Sequence, residues 1–386
     1  MNVAERMEDV PGSGTLEILA IANELEEEGE DVVHLEVGQP DFETPENIRE
    51  AGKDAIDEGK TGYTSSSGIT KLKESVSDYL AERNIDRAQE EIIITPGAKH
   101  SLFTAMTVIL DANDEMMIPS PCWTYEGMVR IINAEPKFVE TREENDFELT
   151  PESVKENINS DTKMLLLNYP NNPTGALLSE ETLKSIADLA VDEDFWILTD
   201  EVYERLIYRD EKPPSIASLD KCEDRTIYIN GFSKTYAMTG WRLGYTAAPQ
   251  SVIDEMIKIQ QNSTTCATSF VQHAGIEALE GPQDKVKEMR EAYRERRDAI
   301  VEGLNSIDEI ECVKPDGAFY VFPSLEGIEM DSMEFSKYLL KEAGVATTPG
   351  SAFGPTGEGN FRISYASSLD RLNEAINRIE DAVSDL

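Results

Sequence analysis

Long apolar runs are missing from this 386-residue chain: nothing approaches the roughly 20 consecutive apolar residues that cross a bilayer, so no membrane span is expected. Histidine is nearly absent. His34, His100 and His273 stand far apart, and none is at metal-ligand spacing from another or from a cysteine. The four cysteines, Cys122, Cys222, Cys266 and Cys312, form no CxxC pair, which argues against both a zinc site and a disulfide framework. A reducing compartment follows. The opening MNVAERMEDVPGSG has neither the basic start nor the apolar stretch of a secretory signal, so the expected location is the cytoplasm.

Positive charge is the third shortage. Against 76 acidic residues there are only 35 Lys and Arg, a net charge of −41 that repels nucleic acid and anionic membrane surfaces. The acids are spread along the whole chain, with runs such as Glu24–Asp31 and Glu143–Asp146, and describe a solvated surface rather than a binding patch. Such self-repulsion is tolerable where molar salt shortens the screening length to roughly 3 Å. The expectation is a protein of a salt-rich, halophilic cytoplasm.

What is present is an alternation of strand-like and helix-like segments without repeats or low-complexity stretches. Short apolar runs at 91–95, 114–118, 163–168, 195–200, 226–230 and 243–248 read as buried strands, and amphipathic stretches at 98–110 and 179–193 read as helices between them. This pattern predicts an α/β fold on a mostly parallel central sheet flanked by helices, with ligands beyond the carboxyl ends of the strands. After about residue 280 the texture changes to long charged helical stretches, 284–305 and 331–343, broken by the strand-like GAFYVFP and FRISYA. A smaller α+β domain is expected there. The predicted division is 38–280 for the large domain, with 1–37 and 281–386 forming the small one.

The unusual residues cluster where the strands end. In NGFSKTYAMTGWRLG, 230–244, Lys234 sits just past a strand in a loop of small residues. A partly desolvated lysine has a lowered pKa and can attack an aldehyde, forming an imine that acts as an electron sink. Ser233 and Arg242 are the hydroxyl donor and bidentate partner that a phosphorylated aldehyde needs. Asp200, at the end of FWILTD, suits either a helix N-cap or a partner that keeps a pyridine nitrogen protonated. Tyr203 suits either packing or a hydrogen bond to the phenolic oxygen of such a ring. Asn171–Gly175, NNPTG, reads as a rigid turn that aims one amide, and Asn172 can donate to the same oxygen. Pro96-Gly97-Ala98-Lys99 opens a helix directly after a strand, where free backbone N–H groups favour phosphate.

Five blocks in consistent order, LEVGQPDF (35–42), YPNNPTG (169–175), DEVYERLIY (200–208), GFSKTYAMTGWRLGY (231–245) and FRISYA (361–366), resemble the class I/II aminotransferases of fold type I. The likeness is greatest to the aspartate aminotransferase subgroup of bacteria and archaea and runs from about residue 34 to 366. It implies pyridoxal 5'-phosphate as cofactor, with Lys234 as its Schiff-base lysine and proton carrier, Asp200 on the pyridine nitrogen, Tyr203 and Asn172 on the ring oxygen, and Trp123 stacked on the ring. It also implies a phosphate site made of Ala98, Lys99, Ser233 and Arg242, with Tyr63 entering from the neighbouring subunit of a homodimer. Arg362, helped by the backbone N–H of Gly38, resembles the arginine that grips a substrate α-carboxylate. One departure stands out: many relatives carry a phosphate-binding hydroxyl three residues before the lysine, where this chain has Gly231.

The implied reaction passes an amino group from an L-amino acid to a 2-oxo acid in two half-reactions. Lys99 matches a lysine that engages a distal carboxylate, so the expected pair is aspartate and 2-oxoglutarate; Lys99 also suits a solvated first-turn residue. Aromatic or alanine-type donors and a C–S β-lyase remain as alternatives.

Overall fold

The computed structural model describes residues 3–12, 14–210 and 213–386. Its centre is a seven-stranded sheet made of β1 (Ile92–Thr95), β2 (Glu115–Ser120), β3 (Glu135–Glu140), β4 (Thr162–Asn168), β5 (Trp196–Asp200), β6 (Thr226–Gly231) and β7 (Gly244–Ala247). The spatial order is β1-β7-β6-β5-β4-β2-β3. Strands β3, β2, β4, β5 and β6 run parallel, and only β7 is antiparallel to its neighbours β6 and β1. The carboxyl ends of β1, β4, β5 and β6 therefore share one edge.

Both faces of this sheet are covered, which explains why its strands are apolar runs rather than alternations. Met164 and Leu166 of β4 join one core layer with Leu102 and Met106 of the helix Ala98–Ile109 and Ile253 of the helix Gln250–Ser263. Leu165 and Leu167, pointing the other way, pack with Val154, Leu183 and Ile186 from the helices Pro151–Asn157 and Glu180–Asp192. Ser179 sets the start of the latter helix by accepting from the Thr182 N–H at 3.1 Å, which satisfies one free helix donor. The six expected strands all form. The strand not expected is β3, whose EPKFVE carries charge at both ends because it lies at the sheet edge.

The carboxyl-terminal third builds a three-stranded sheet from Tyr320–Val321, Phe361–Ser364 and Thr348–Pro349, backed by the helices Asp284–Leu304 and Leu369–Ser384. The stretch 33–38 is pinned to it: Val33 and His34 pair in parallel with Val345 and Ala346, and Ser364 donates to the Leu35 carbonyl at 2.8 Å. That pairing brings Gly38 and Arg362 to the edge where the large sheet ends. No helix among the described residues is long and apolar enough to cross a membrane, and none of their His, Cys, Asp and Glu side chains cluster as a metal site would require.

Candidate active site

Lys234 stands on a single helical turn, Phe232–Thr235, that follows β6 directly. Its Nζ donates to the Gly38 carbonyl at 2.5 Å and lies against the packed rings of Phe319 and Tyr203, 5.6 and 5.7 Å from their centroids. Burial pulls its pKa down to about 8, with the Arg362 charge adding to the effect and the Asp200 charge opposing it. A lysine so placed is a nucleophile near neutral pH.

Asp200 ends β5 and is buried. Burial raises its carboxyl to about pKa 6, while the Tyr125 hydroxyl, donating to Oδ2 at 2.9 Å, works against the rise. Tyr203 is buried too, and its hydroxyl is 2.8 Å from that of Tyr320. Asn172 belongs to a turn held by Asn171, whose Oδ1 accepts from the Thr174 N–H at 3.1 Å and its hydroxyl at 2.9 Å. The side chain of Asn172 accepts from Arg362 Nη1 at 3.0 Å.

On the other side, the helix Ala98–Ile109 starts beside Arg242. Gly97, at φ +89°, makes this approach possible: a Cβ there would lie 2.8 Å from Arg242 Nη2. Gly244 must likewise lack a side chain, because its Cβ would lie 2.6 Å from the Ala98 nitrogen. Ala98 and Lys99 thus present free backbone N–H groups next to a guanidinium, with Ser233 half-buried nearby in the Lys234 turn. Lys99 Nζ sits 4.4 Å over the Trp123 ring, and its pKa is lowered by burial and by the Arg242 charge. Tyr63 is set apart from this group, 90% exposed on the surface.

The electrostatics of the group are unusual for so acidic a chain. Lys99, Lys234, Arg242 and Arg362 form no ion pair among the described residues; what partners their donors have are carbonyl, amide or hydroxyl oxygens or an aromatic ring, and the buried Arg362 Nε has none. Four unneutralised cations and a helix start make a receptor for anions. A half-buried lysine near one buried carboxylate adds a place for an electrophilic ring.

Three residues of the site escape sequence reasoning. Tyr320 and Phe353 lie on Arg362, their ring centroids 4.5 and 4.9 Å from its Cζ. Tyr125 holds Asp200. In the sequence, Tyr320 is one of several aromatics in a strand-like run and Tyr125 precedes a short helix, so packing accounts for both; only the pairing of segments far apart in the chain reveals the contacts.

A lysine on a turn after a strand, a buried carboxylate on the next strand and an anion cup at a helix start define a lysine-dependent enzyme acting through an aldehyde cofactor on an α/β fold of type I. Residues 30–379 match the family Aminotransferase class I and II, and the chain belongs to it. It is 44% identical to an aspartate aminotransferase of Pyrococcus horikoshii over 99% of this chain and 97% of that one. It is 41% identical to aromatic-amino-acid aminotransferase 2 of Thermococcus litoralis over 100% and 99%. The aspartate aminotransferase of Thermus thermophilus solved with maleate superposes with a TM-score of 0.95 at 38% identity, covering 99% of this chain and 100% of that one. The protein is a pyridoxal-phosphate-dependent transaminase. Its free cations, helix start and buried Asp200 fit a phosphorylated, protonated pyridine.

Proposed function

We propose that this transaminase takes aspartate as amino donor and 2-oxoglutarate as acceptor, at a site held by the residues described above. The observation that carries the reading is the set of three cations without carboxylate partners, Lys99, Arg242 and Arg362, around Lys234. Three anionic groups account for them: the cofactor phosphate at Ala98, Lys99, Ser233 and Arg242, the substrate α-carboxylate at Arg362 and the Gly38 N–H, and a distal carboxylate at Lys99. The relatives named aspartate aminotransferase, and the maleate in the Thermus structure, support a dicarboxylic substrate.

When bound, pyridoxal phosphate supplies an aldehyde that condenses with amines and a ring that withdraws electrons from the carbon bearing the nitrogen. Asp200 would hold the proton on the ring nitrogen, and Trp123 would lie against the ring face. Tyr203 and Asn172 would hydrogen-bond the ring oxygen. Arg362 orients the amino acid by its α-carboxylate. Lys234 Nζ, with its lowered pKa, would serve as the base that takes the proton from the substrate Cα and as the acid that hands it on. The 2-oxo acid would leave by hydrolysis, and a second oxo acid would take up the amino group by the reverse path.

Tyr63 supports a homodimer with shared sites: a tyrosine 90% exposed on its own subunit is free to reach the phosphate of its partner. A division into a large domain, 38–280, and a small one, 1–37 with 281–386, is supported by the separation of the seven-stranded sheet from the smaller sheets. Cytoplasmic, halophilic life is supported by the net charge of −41.

A second reading, aromatic donors, is favoured by the Thermococcus relative named for them. The holoenzyme in molar KCl decides, by loss of the cofactor absorbance band on adding single amino acids. Conversion by aspartate or glutamate supports the first reading; conversion by phenylalanine or tyrosine alone overturns it.

A further inference from the structure

Asp200 has one side-chain hydrogen bond, from the hydroxyl of Tyr125, and this residue does two things at once. Its Oη donates to Asp200 Oδ2 at 2.9 Å, and its ring meets Trp123 edge to face, with centroids 5.3 Å apart and planes at 84°. Tyr125 is 1% exposed and follows Trp123 by two residues, so the loop after β2 sets both contacts. The Val202 N–H, 3.4 Å from Oδ1, is the only other donor to the carboxylate among the described residues.

We infer that Tyr125 is the positioning residue of the cofactor ring, fixing the Asp200 carboxylate against the pyridine nitrogen and Trp123 against the ring face. The inference rests on the reading of Asp200 as the partner of that nitrogen. A carboxylate at the end of a strand can rotate, and a buried one tends to take up a proton. A donor aimed at Oδ2 prevents both: it occupies one oxygen, leaving the other side of the group for the ring, and it favours the charged form. Burial and the neighbouring Asp200 charge raise the Tyr125 hydroxyl well above its ordinary pKa, so it remains a donor. A phenol suits this place because its ring is rigid and its single proton has one acceptor to serve.

The test compares binding of pyridoxal phosphate and of its 1-deaza analogue, in which C–H replaces the ring nitrogen, to the apoenzyme in molar KCl. Dissociation constants are read from quenching of protein fluorescence, independently of turnover. Wild type is expected to prefer pyridoxal phosphate. Tyr125→Phe, which keeps the ring but loses the hydroxyl, is expected to lower that preference roughly tenfold, the scale of one hydrogen bond to a charged group, with little change for the analogue. In an Asp200→Asn background the same substitution should change the preference hardly at all. Equal loss of both ligands, or an undiminished preference in Tyr125→Phe, would overturn the role of Tyr125 and leave Asp200 intact. No preference in wild type would overturn the pairing of Asp200 itself, and the inference with it.

Discussion

Arg362 donates from Nη1 to Oδ1 of Asn172 at 3.0 Å, so the residue proposed to read the substrate carboxylate and the amide proposed to face the cofactor ring are joined to each other. Tyr320 and Phe353 hold the guanidinium by cation–π contacts, and the Thr348 hydroxyl lies 3.2 Å from Nη2. A lysine cannot keep the fork, the stacking and the Asn172 bond together. Arg362→Lys is expected to lower kcat/KM by about a hundredfold, equivalent to about 2.7 kcal/mol, with most of the change in KM. Steady-state kinetics with several amino acids provide the check: a loss confined to dicarboxylic donors would show that Arg362 reads the distal group instead.

Lys234 should control cofactor loading through its protonation. Only the neutral amine attacks an aldehyde, and burial brings its pKa from 10.5 to about 8. The rate at which apoenzyme combines with pyridoxal phosphate should therefore rise with pH to a plateau, with its midpoint near pH 8. Stopped-flow absorbance measures it. A midpoint near that of an ordinary lysine would mean that the site is open to water, contrary to the packing of Phe319 and Tyr203 around Nζ.

Burying the Asp200 carboxylate costs the apoenzyme stability. Its folded pKa of about 6 exceeds the ordinary 3.8, so between those values the folded protein binds the proton more tightly than the unfolded chain. Stability then rises as pH falls through this window, and the cost is fully present above about pH 6. Asp200→Asn is expected to stabilise the apoenzyme at pH 8 by up to about 3 kcal/mol in urea titrations, while transamination falls by about a hundredfold or more. A destabilised Asn variant would show that Tyr125 and Val202 more than offset the burial of the charge.

The large sheet was readable in the sequence because burial on both faces leaves apolar runs, as in MLLL of β4, whose neighbouring side chains enter opposite cores. The edge strand β3 was not, since one exposed side lets Glu135, Lys137 and Glu140 interrupt the pattern. Lys234, Asp200 and the NNPTG turn were legible as unusual residues at strand ends. Tyr125, Tyr320 and Phe353 were not, because an aromatic in an apolar context carries no local mark of its partner: Phe353 meets Arg362 only after Thr348–Pro349 pairs with Phe361–Arg362.

Tyr63 offers a test of shared sites. Mixing Lys234→Ala subunits with Tyr63→Ala subunits under conditions of exchange should restore activity above that of either parent. In the mixed dimer the site containing Lys234 receives an intact Tyr63 from the Lys234→Ala subunit. Sedimentation should report a dimer throughout. A monomeric wild-type enzyme with full activity would exclude the arrangement.

Salt should act on the whole chain rather than on the site. Only Glu36, Asp200, Glu201 and Glu204 are buried among the carboxylates of the described residues, so nearly all of the net −41 lies at or near the surface. Lowering the ionic strength from about 1 M to about 0.1 M lengthens the screening distance from about 3 Å to about 10 Å, enough for neighbouring carboxylates to repel one another. Dialysis to 0.1 M KCl is therefore expected to lower the melting temperature and, with time, the helical circular dichroism signal. Returning KCl or NaCl should restore both, whereas sucrose, which favours compact states without screening charge, should restore them poorly. Equal rescue by sucrose would attribute the salt effect to burial of apolar surface, and an unchanged melting temperature would remove the case for a halophilic protein.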